Sequence, residues 1–214
     1  MSKKSEIQNN KNIDNDDEIL IIKLLIVGDT GVGKSNFIYR YTEEKFSNSN
    51  LSSAGFEFNT KEIEITDRKI IVQLWDSAGQ EKFKSITKNL FNRVQGIIIL
   101  YDITNKKSFL NVPNWIKLIQ ETTNYMIPYT LAGTKCDLNN EREVEEEEGI
   151  KLSQENKIDF METSAKNNIN IMECINTFVK NIVNSENFMR NISFALQKIS
   201  LYKQDTVNKS EKCC

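Results

Sequence analysis

The sequence predicts an α/β fold with a doubly wound, mostly parallel six-stranded sheet and one antiparallel edge strand. From residue 19 onward, apolar segments rich in Ile and Leu alternate with segments of helical periodicity, as expected for a sheet covered by helices on both faces. A glycine-rich loop, GDTGVGKS at residues 28–35, joins the first apolar segment to the first helical one. Segment 56–65 instead alternates partly between apolar and polar residues, which is typical of an antiparallel strand with one exposed face.

Each element follows from its local pattern. The predicted strands are 19–27, 56–65, 69–75, 96–103, 129–135 and 158–164. The predicted helices are 35–42, 82–93, 106–123, 144–156 and 168–184. The third helix carries apolar residues at helical spacing, although Pro113 makes its first part imperfect. The last helix places Ile171, Ile175, Phe178 and Ile182 on one face.

Length and composition predict one domain with two tails. The chain has 214 residues, 39% hydrophobic and 27% charged, as in an ordinary globular protein. We expect a disordered polar extension at 1–18, a core domain at 19–184 and a variable tail at 185–214. The first 18 residues contain no hydrophobic signal core, so we do not expect secretion.

Charge and composition exclude several classes of function. The formal net charge is −2, so no global basic field suggests a nucleic-acid partner. The chain contains no histidine, which removes histidine bases, histidine zinc ligands and Ser-His-Asp triads. The spacing of its four cysteines fits neither a disulfide framework nor a zinc ribbon, and a reduced, intracellular setting is the default expectation.

The glycine-rich loop predicts a phosphate-binding site. Residues 28–35 satisfy the pattern G-x-x-x-x-G-K-[ST] between a predicted strand and a predicted helix. Its backbone N–H groups can point at phosphate oxygens, Lys34 can reach the β and γ oxygens, and the Ser35 hydroxyl can bind Mg²⁺. The loop does not by itself distinguish ATP from GTP. The nucleotide-binding residues predicted here are Thr30, Gly31, Val32, Gly33, Lys34, Ser35 and Asn36.

Four ordered motifs resemble those of Ras-like small GTPases. They are GDTGVGKS, WDSAGQEKF (75–83), GTKCDL (133–138) and ETSAK (162–166). The similarity covers about residues 19–184, and the Rab branch is the most similar in its strand 56–65, its YDIT segment and its terminal CC. The resemblance implies a P-loop GTPase fold and a GTP-dependent switch.

The last two motifs predict selection of guanine. Asp137 can accept two hydrogen bonds, from the N1–H and the exocyclic amine of guanine, and adenine offers no such pair of donors. Lys135 can lie along the base and reach the glycine loop, and Ala165 can offer its backbone N–H to the guanine O6. Thr134, Ser164 and Lys166 complete the predicted base-side set.

The second motif and the preceding loop imply Mg²⁺ binding and hydrolysis. By resemblance, Asp76 holds Mg²⁺ through water, and Ser53 is the first-switch residue that ligates Mg²⁺ and contacts the γ-phosphate. Gly79 offers its N–H to the γ-phosphate. Gln80 orients the attacking water and is the predicted catalytic residue.

The chain departs from the family pattern at several places. Thr134 stands where the Rab pattern usually has Asn, so a contact to the base or to the glycine loop is lost or altered. Segment 88–96, KNLFNRVQG, replaces the usual stretch. Phe58 and Trp75 match two members of the Rab aromatic surface triad, but Leu90 takes the third place.

The tail predicts lipidation. The resemblance implies geranylgeranylation of Cys213 and Cys214, and two lipid chains hold a membrane stably where one does not. Two free terminal thiols are the alternative. Segment 188–202 is either a short amphipathic helix or a flexible linker.

These observations predict a Rab-like switch that hydrolyses GTP slowly and regulates vesicle and membrane traffic on the cytoplasmic face of an intracellular membrane, cycling with the cytosol. The partners implied are GTP or GDP, an exchange factor, a GTPase-activating protein, escort and GDP-dissociation-inhibitor proteins, and effectors. Two alternatives stay open: a GTPase-derived scaffold that binds nucleotide but switches poorly, and an ATP-using P-loop enzyme, against which Asp137 argues.

Overall fold

A computed structural model describes residues 19–47, 58–77, 90–123 and 126–185. Six strands are present in this part of the chain: β1 (Leu20–Gly28), β2 (Phe58–Ile65), β3 (Arg68–Asp76), β4 (Gly96–Asp102), β5 (Tyr129–Thr134) and β6 (Phe160–Glu162). The α-helices that lie wholly within these ranges are α1 (Lys34–Glu43), α2 (Lys106–Leu110), α3 (Val112–Thr122), α4 (Glu146–Asn156) and α5 (Ile171–Asn184), and a 3₁₀ turn spans Asn139–Glu141.

The strands form one sheet in the order β2-β3-β1-β4-β5-β6. All pairs are parallel except β2 with β3, so the prediction of a mostly parallel sheet with an antiparallel edge strand is confirmed. Thr66 and Asp67 join β2 to β3 with φ angles of 52° and 60°, the left-handed conformation that a tight hairpin turn requires. The parallel strands bring the carboxyl ends of β1, β3, β4 and β5 to the same edge of the sheet, and the functional motifs follow these ends.

The third predicted helix, 106–123, is divided into α2 and α3 at Asn111. Proline has no N–H to donate within a helix, and its ring would clash with the carbonyl four residues earlier. Pro113 therefore sits in the first turn of α3, where neither problem arises. Strand β6 is shorter than the predicted 158–164. The predicted helix 82–93 lies largely outside the described residues.

Two apolar layers cover the two faces of the sheet. Alternate β1 residues point into opposite layers, with Leu24 and Ile26 in one and Leu25 and Val27 in the other. Helices α1 and α5 cover the first face, and the predicted apolar face of α5 is buried there. Helices α2 and α3 contribute to the second layer. Within the four described ranges, no helix is long and apolar enough to cross a bilayer.

Candidate nucleotide site

A cavity of about 230 Å³ opens beside the glycine-rich loop. Three predicted motifs meet there: the loop itself, the TKCD segment that follows β5, and the TSAK segment that follows β6. Its lining combines backbone, apolar and charged groups, as ligand cavities commonly do. The lining residues are Val32, Gly33, Asn36, Phe37, Phe46, Thr134, Lys135, Asp137, Leu138, Thr163, Ala165 and Lys166.

The glycine-rich loop has a backbone that only glycine accommodates at key points. Gly28 has φ 145°, and a Cβ atom there would lie 2.3 Å from the carbonyl oxygen of Leu100. Gly33 has φ 95° and directly precedes α1, so the chain turns sharply into the helix. The Lys34 side chain is 4% exposed, and its Nζ donates to the carbonyl oxygens of Gly28 and Asp29, each at 2.9 Å. The ammonium group is therefore held within the curve of the loop.

Ser35 and Asp76 come together from two different elements. The Ser35 Oγ at the start of α1 donates to Asp76 Oδ2 at the end of β3, at 2.6 Å. The next residue, Ser77, donates to the carbonyl oxygen of Ile26 at 2.7 Å, which fixes the end of β3 against β1. A hydroxyl and a carboxylate in contact supply the hard oxygen donors that Mg²⁺ prefers.

Asp137 is oriented by the TSAK segment. The Ser164 hydroxyl donates to Asp137 Oδ1 at 2.5 Å and accepts from the backbone N–H of Asn167 at 3.0 Å. Ser164 also exchanges two backbone hydrogen bonds with Ile169. Because Ser164 is itself held on both sides, the Asp137 carboxylate has a fixed position at the cavity wall.

Lys135 spans the two halves of the cavity. Its Nζ donates to the carbonyl oxygen of Gly31 at 3.0 Å and to Asp102 Oδ2 at 2.5 Å. Its backbone is left-handed, with φ 62°. This conformation is unfavourable for any residue other than glycine, and such strained residues often occur at functional sites. Lys135 thus ties the base-side strand ends to the glycine loop.

Thr134 makes a second tie between the same two halves. Its buried hydroxyl lies 2.7 Å from the carbonyl oxygen of Val32 and 2.9 Å from that of Tyr101. Of the two outcomes expected at this position, a lost or an altered contact, the structure shows that a contact to the glycine loop is present with Thr.

Cys136 lies between Lys135 and Asp137 but is not activated. Burial raises the pKa of its thiol, and the charges of Glu162 and Asp137 raise it further. Burial also raises the pKa of Cys174 to about 12. Both thiols stay protonated at neutral pH, so neither is an activated nucleophile.

The predicted site residues divide into those that the structure describes and those that it does not. Thr30 and Gly31 are exposed at the rim of the loop, and Asn36 lines the cavity and accepts from the backbone N–H of Ser47 at 3.2 Å. The remaining described members surround the cavity or the Ser35–Asp76 contact. The predicted site residues that lie outside the described ranges are Ser53, Gly79, Gln80, Cys213 and Cys214.

Several contacting residues were missed by sequence reasoning. Phe46 lines the cavity. In the sequence it is the one aromatic residue of the mostly polar segment EEKFSNSNLSSAG at 43–55. Asp102, the partner of Lys135, ends a buried strand within the YDIT segment at 101–104. Asp29 accepts from the Asn111 amide at 2.5 Å and the Trp115 indole at 3.0 Å, a contact across more than 80 residues that no local pattern indicates.

Comparison with known proteins agrees with this geometry. The model of the Ras family matches residues 23–184. Ras-related protein Rab-13 of Canis lupus familiaris is 42% identical over 163 residues, which is 76% of this chain and 80% of that protein. Ras-related protein Rab-8 of Diplobatis ommata is 38% identical over 90% of this chain and 91% of its own length. Human Ras-related protein Rab-8B is 40% identical over 81% of this chain and 84% of its own length.

Ras-family GTPases generally use Mg²⁺, bind regulators and effectors, and in the Rab branch associate with intracellular membranes. The match spans most of the chain and includes all four sequence motifs, three of which meet at the cavity. The chain therefore belongs to the Ras family, as a Rab-like small GTPase that hydrolyses GTP to GDP and regulates membrane traffic.

Proposed function

We propose that Asp137 selects the guanine base of GTP in this cavity. The observation that carries the proposal is the Asp137 carboxylate, held by Ser164 at the cavity wall. One hydroxyl occupies one acceptor position on Oδ1, and a carboxylate has further acceptor positions on both oxygens. These further acceptor positions are available to the N1–H and the exocyclic amine of guanine. Adenine lacks that donor pair and would leave the carboxylate unmatched.

The remaining walls suit the rest of a purine. Phe46 and Phe37 supply aromatic surface at the cavity, and the aliphatic stem of Lys135 can cover one side of the base while its ammonium holds Gly31. The Ala165 N–H would donate to the guanine O6. Thr134 and Lys166 complete the base side.

The phosphates would lie in the loop formed by residues 30–36. Backbone N–H groups there and the first turn of α1 attract anions, and Lys34 is the buried cation among them. Its two carbonyl contacts keep the ammonium close to the loop, from where it can reach β and γ oxygens.

Ser35, Asp76 through water, and Ser53 would hold Mg²⁺. The contact between Ser35 and Asp76 provides two hard oxygens at one place, which fits this ion. Bound Mg²⁺ would neutralise charge on the β and γ phosphates. The backbone N–H of Gly79 would contact the γ-phosphate, and Gln80 would hold the attacking water in line with it.

Intrinsic turnover should be slow. Neither the loop 28–36 nor the DSAGQ segment contains an arginine, so the charge that develops on the phosphates lacks one of its usual stabilising groups. A residue supplied in trans by an activating protein raises the rate by on the order of 10³–10⁵ in related GTPases.

The switch would act at the cytoplasmic face of an intracellular membrane and cycle with the cytosol. Lipid chains on Cys213 and Cys214 would anchor it, since two chains bind a bilayer stably. An escort protein would present the tail, a GDP-dissociation inhibitor would extract it, and an exchange factor would reload it. This division of roles makes 19–184 the GTPase domain, 185–214 the membrane tail and 1–18 a polar extension.

Nucleotide preference tests the proposal. Asp137→Asn places a donor opposite the guanine amine, and xanthine presents an acceptor there. We expect GTP affinity to fall by about 10²–10⁴-fold, as for two hydrogen bonds to a charged group, and XTP affinity to rise. Asp67→Asn in the β2–β3 turn is the matched control and should retain the wild-type preference. Unchanged GTP affinity in Asp137→Asn would refute the assignment.

A further inference from the structure

Arg40 of α1 contacts the segment that closes the cavity on the base side. Its Nε donates to the carbonyl oxygen of Ala165 at 2.6 Å, and its Nη2 donates to that of Lys166 at 3.3 Å. Residues 165 and 166 line the cavity, but Arg40 does not. The guanidinium therefore holds the cavity wall from behind.

Two successive carbonyls fix the local backbone more firmly than one. A trans peptide is planar, so holding the Ala165 carbonyl also sets the direction of the Lys166 N–H. On the other side of Ala165, the Ser164 carbonyl accepts from the Ile169 N–H at 2.9 Å, and by the same planarity this sets the direction of the Ala165 N–H. The Ala165 N–H thus lies between a segment fixed by Ser164 and a segment fixed by Arg40.

The same guanidinium reaches the end of α1. Its Nη1 donates to the carbonyl oxygen of Glu44, the left-handed residue that caps the helix with φ 57°. Phe46, which also lines the cavity, follows two residues later. One planar side chain with donors in a fixed fork therefore connects the backbone of the 165–166 segment to the start of the loop that carries Phe46.

Among the residues that the structure describes, no other side chain hydrogen-bonds to both the 165–166 backbone and the end of α1. Lys61 holds the same end of α1, through the Tyr41 carbonyl and the Glu44 carboxylate, each at 3.0 Å, but none of its hydrogen bonds reaches residues 165–166. Asp137 and Asn167 contact Ser164 rather than the two carbonyls.

We propose that Arg40 is a positioning residue that sets the lifetime of bound guanine nucleotide. It holds the peptide that follows Ala165, so that the Ala165 N–H stays in place opposite the guanine O6. Arg40 touches no part of the nucleotide. The inference rests on the proposed function, since it presupposes that guanine occupies this cavity with its O6 toward Ala165.

The test compares release of GDP and of 6-thio-GDP, in which a weaker sulfur acceptor replaces O6. In wild type, 6-thio-GDP should leave faster than GDP. In Arg40→Met, GDP release should accelerate about tenfold, as for one lost hydrogen bond to a charged group. Release of 6-thio-GDP should accelerate much less, so the ratio of the two rates should fall toward one.

Two further variants keep the test decisive. Arg40→Lys retains the charge but cannot reach all three carbonyls, so it should lower the same ratio to a smaller degree. Lys61→Met loosens the end of α1 and should leave the ratio at its wild-type value. Equal acceleration of both nucleotides in the two Arg40 variants, or an equal fall of the ratio in Lys61→Met, would overturn the inference. Wild-type protein that binds no GDP would instead overturn the proposed function, and this inference with it.

Discussion

The Thr134 hydroxyl lies 2.7 Å from the carbonyl oxygen of Val32. Thr134 ends β5 on the base side of the cavity, and Val32 belongs to the phosphate loop, 102 residues earlier in the chain. Both groups are buried. This contact holds the two halves of the nucleotide site in a fixed relation, with a threonine where the Rab pattern usually has asparagine.

Removal of this hydroxyl should shorten the lifetime of bound nucleotide. Thr134→Val has nearly the same shape but leaves the Val32 carbonyl without this donor. A buried acceptor left unsatisfied costs enough to accelerate GDP release by about tenfold. Release of radiolabelled GDP into excess cold GTP measures the effect. Thr134→Ser keeps the donor and should behave as wild type; equal release from the Val and Ser variants would show that the contact is dispensable.

The Ser35 hydroxyl should account for much of the Mg²⁺ dependence of binding. Wild-type protein should release GDP faster when EDTA removes the ion. Ser35→Ala loses a hard oxygen donor beside Asp76, so its release in Mg²⁺ should already approach the EDTA rate. The matched control is Ser77→Ala, whose lost hydroxyl contacts the Ile26 carbonyl and not Asp76. A Ser35→Ala protein that still responds to EDTA as wild type does would remove Ser35 from the metal site.

Local sequence signals predicted the sheet well and the helices less evenly. Strand β1 is apolar because it is buried on both faces, and β2 alternates because one face is exposed, so their periods identify them directly. The division of 106–123 at Asn111 depends on where Pro113 is tolerated, and the helical spacing of the apolar residues continues across the break. Pro113 therefore indicates that the helix is irregular, but it does not indicate that the break lies at Asn111.

Site residues that belong to a sequence motif were predictable, and site residues that are positioned only by tertiary contacts were not. The loop 28–35 carries its own backbone geometry, so Lys34 and Ser35 are recognisable from sequence. Arg40 resembles any polar residue of an amphipathic helix, and only the fold brings it to Ala165. Asp102 similarly acquires its partner Lys135 through the pairing of β4 with β5.

The two terminal cysteines should determine membrane association. Replacement of both Cys213 and Cys214 by Ser removes the sites of both lipid chains, and the tagged protein should move from membranes to the cytosol in cell fractionation. GTP binding should be unchanged, because every residue of the proposed nucleotide site precedes residue 167. Single replacements should give weaker retention than wild type, since one chain binds a bilayer only marginally. If the double variant stays on membranes, the tail cysteines are not its anchor.

The proposed role of Gln80 is to orient the water that attacks the γ-phosphate of GTP. Leu at this position keeps a similar volume but can neither donate to nor accept from a water molecule. The proposed nucleotide contacts of Lys34, Ser35 and Asp137 are unchanged by this substitution, so Gln80→Leu should load GTP as wild type does. Gln154→Leu, an exposed change on α4, is the matched control.

The most direct measurement is single-turnover phosphate release from GTP-loaded protein without an activating protein. Activating proteins can supply their own glutamine, so the intrinsic rate isolates the contribution of Gln80. We predict slow release by wild type and by Gln154→Leu, and release at least about tenfold slower by Gln80→Leu, within the usual contribution of a water-positioning group. Equal rates for wild type and Gln80→Leu would contradict the proposal that this chain uses Gln80 to orient the attacking water.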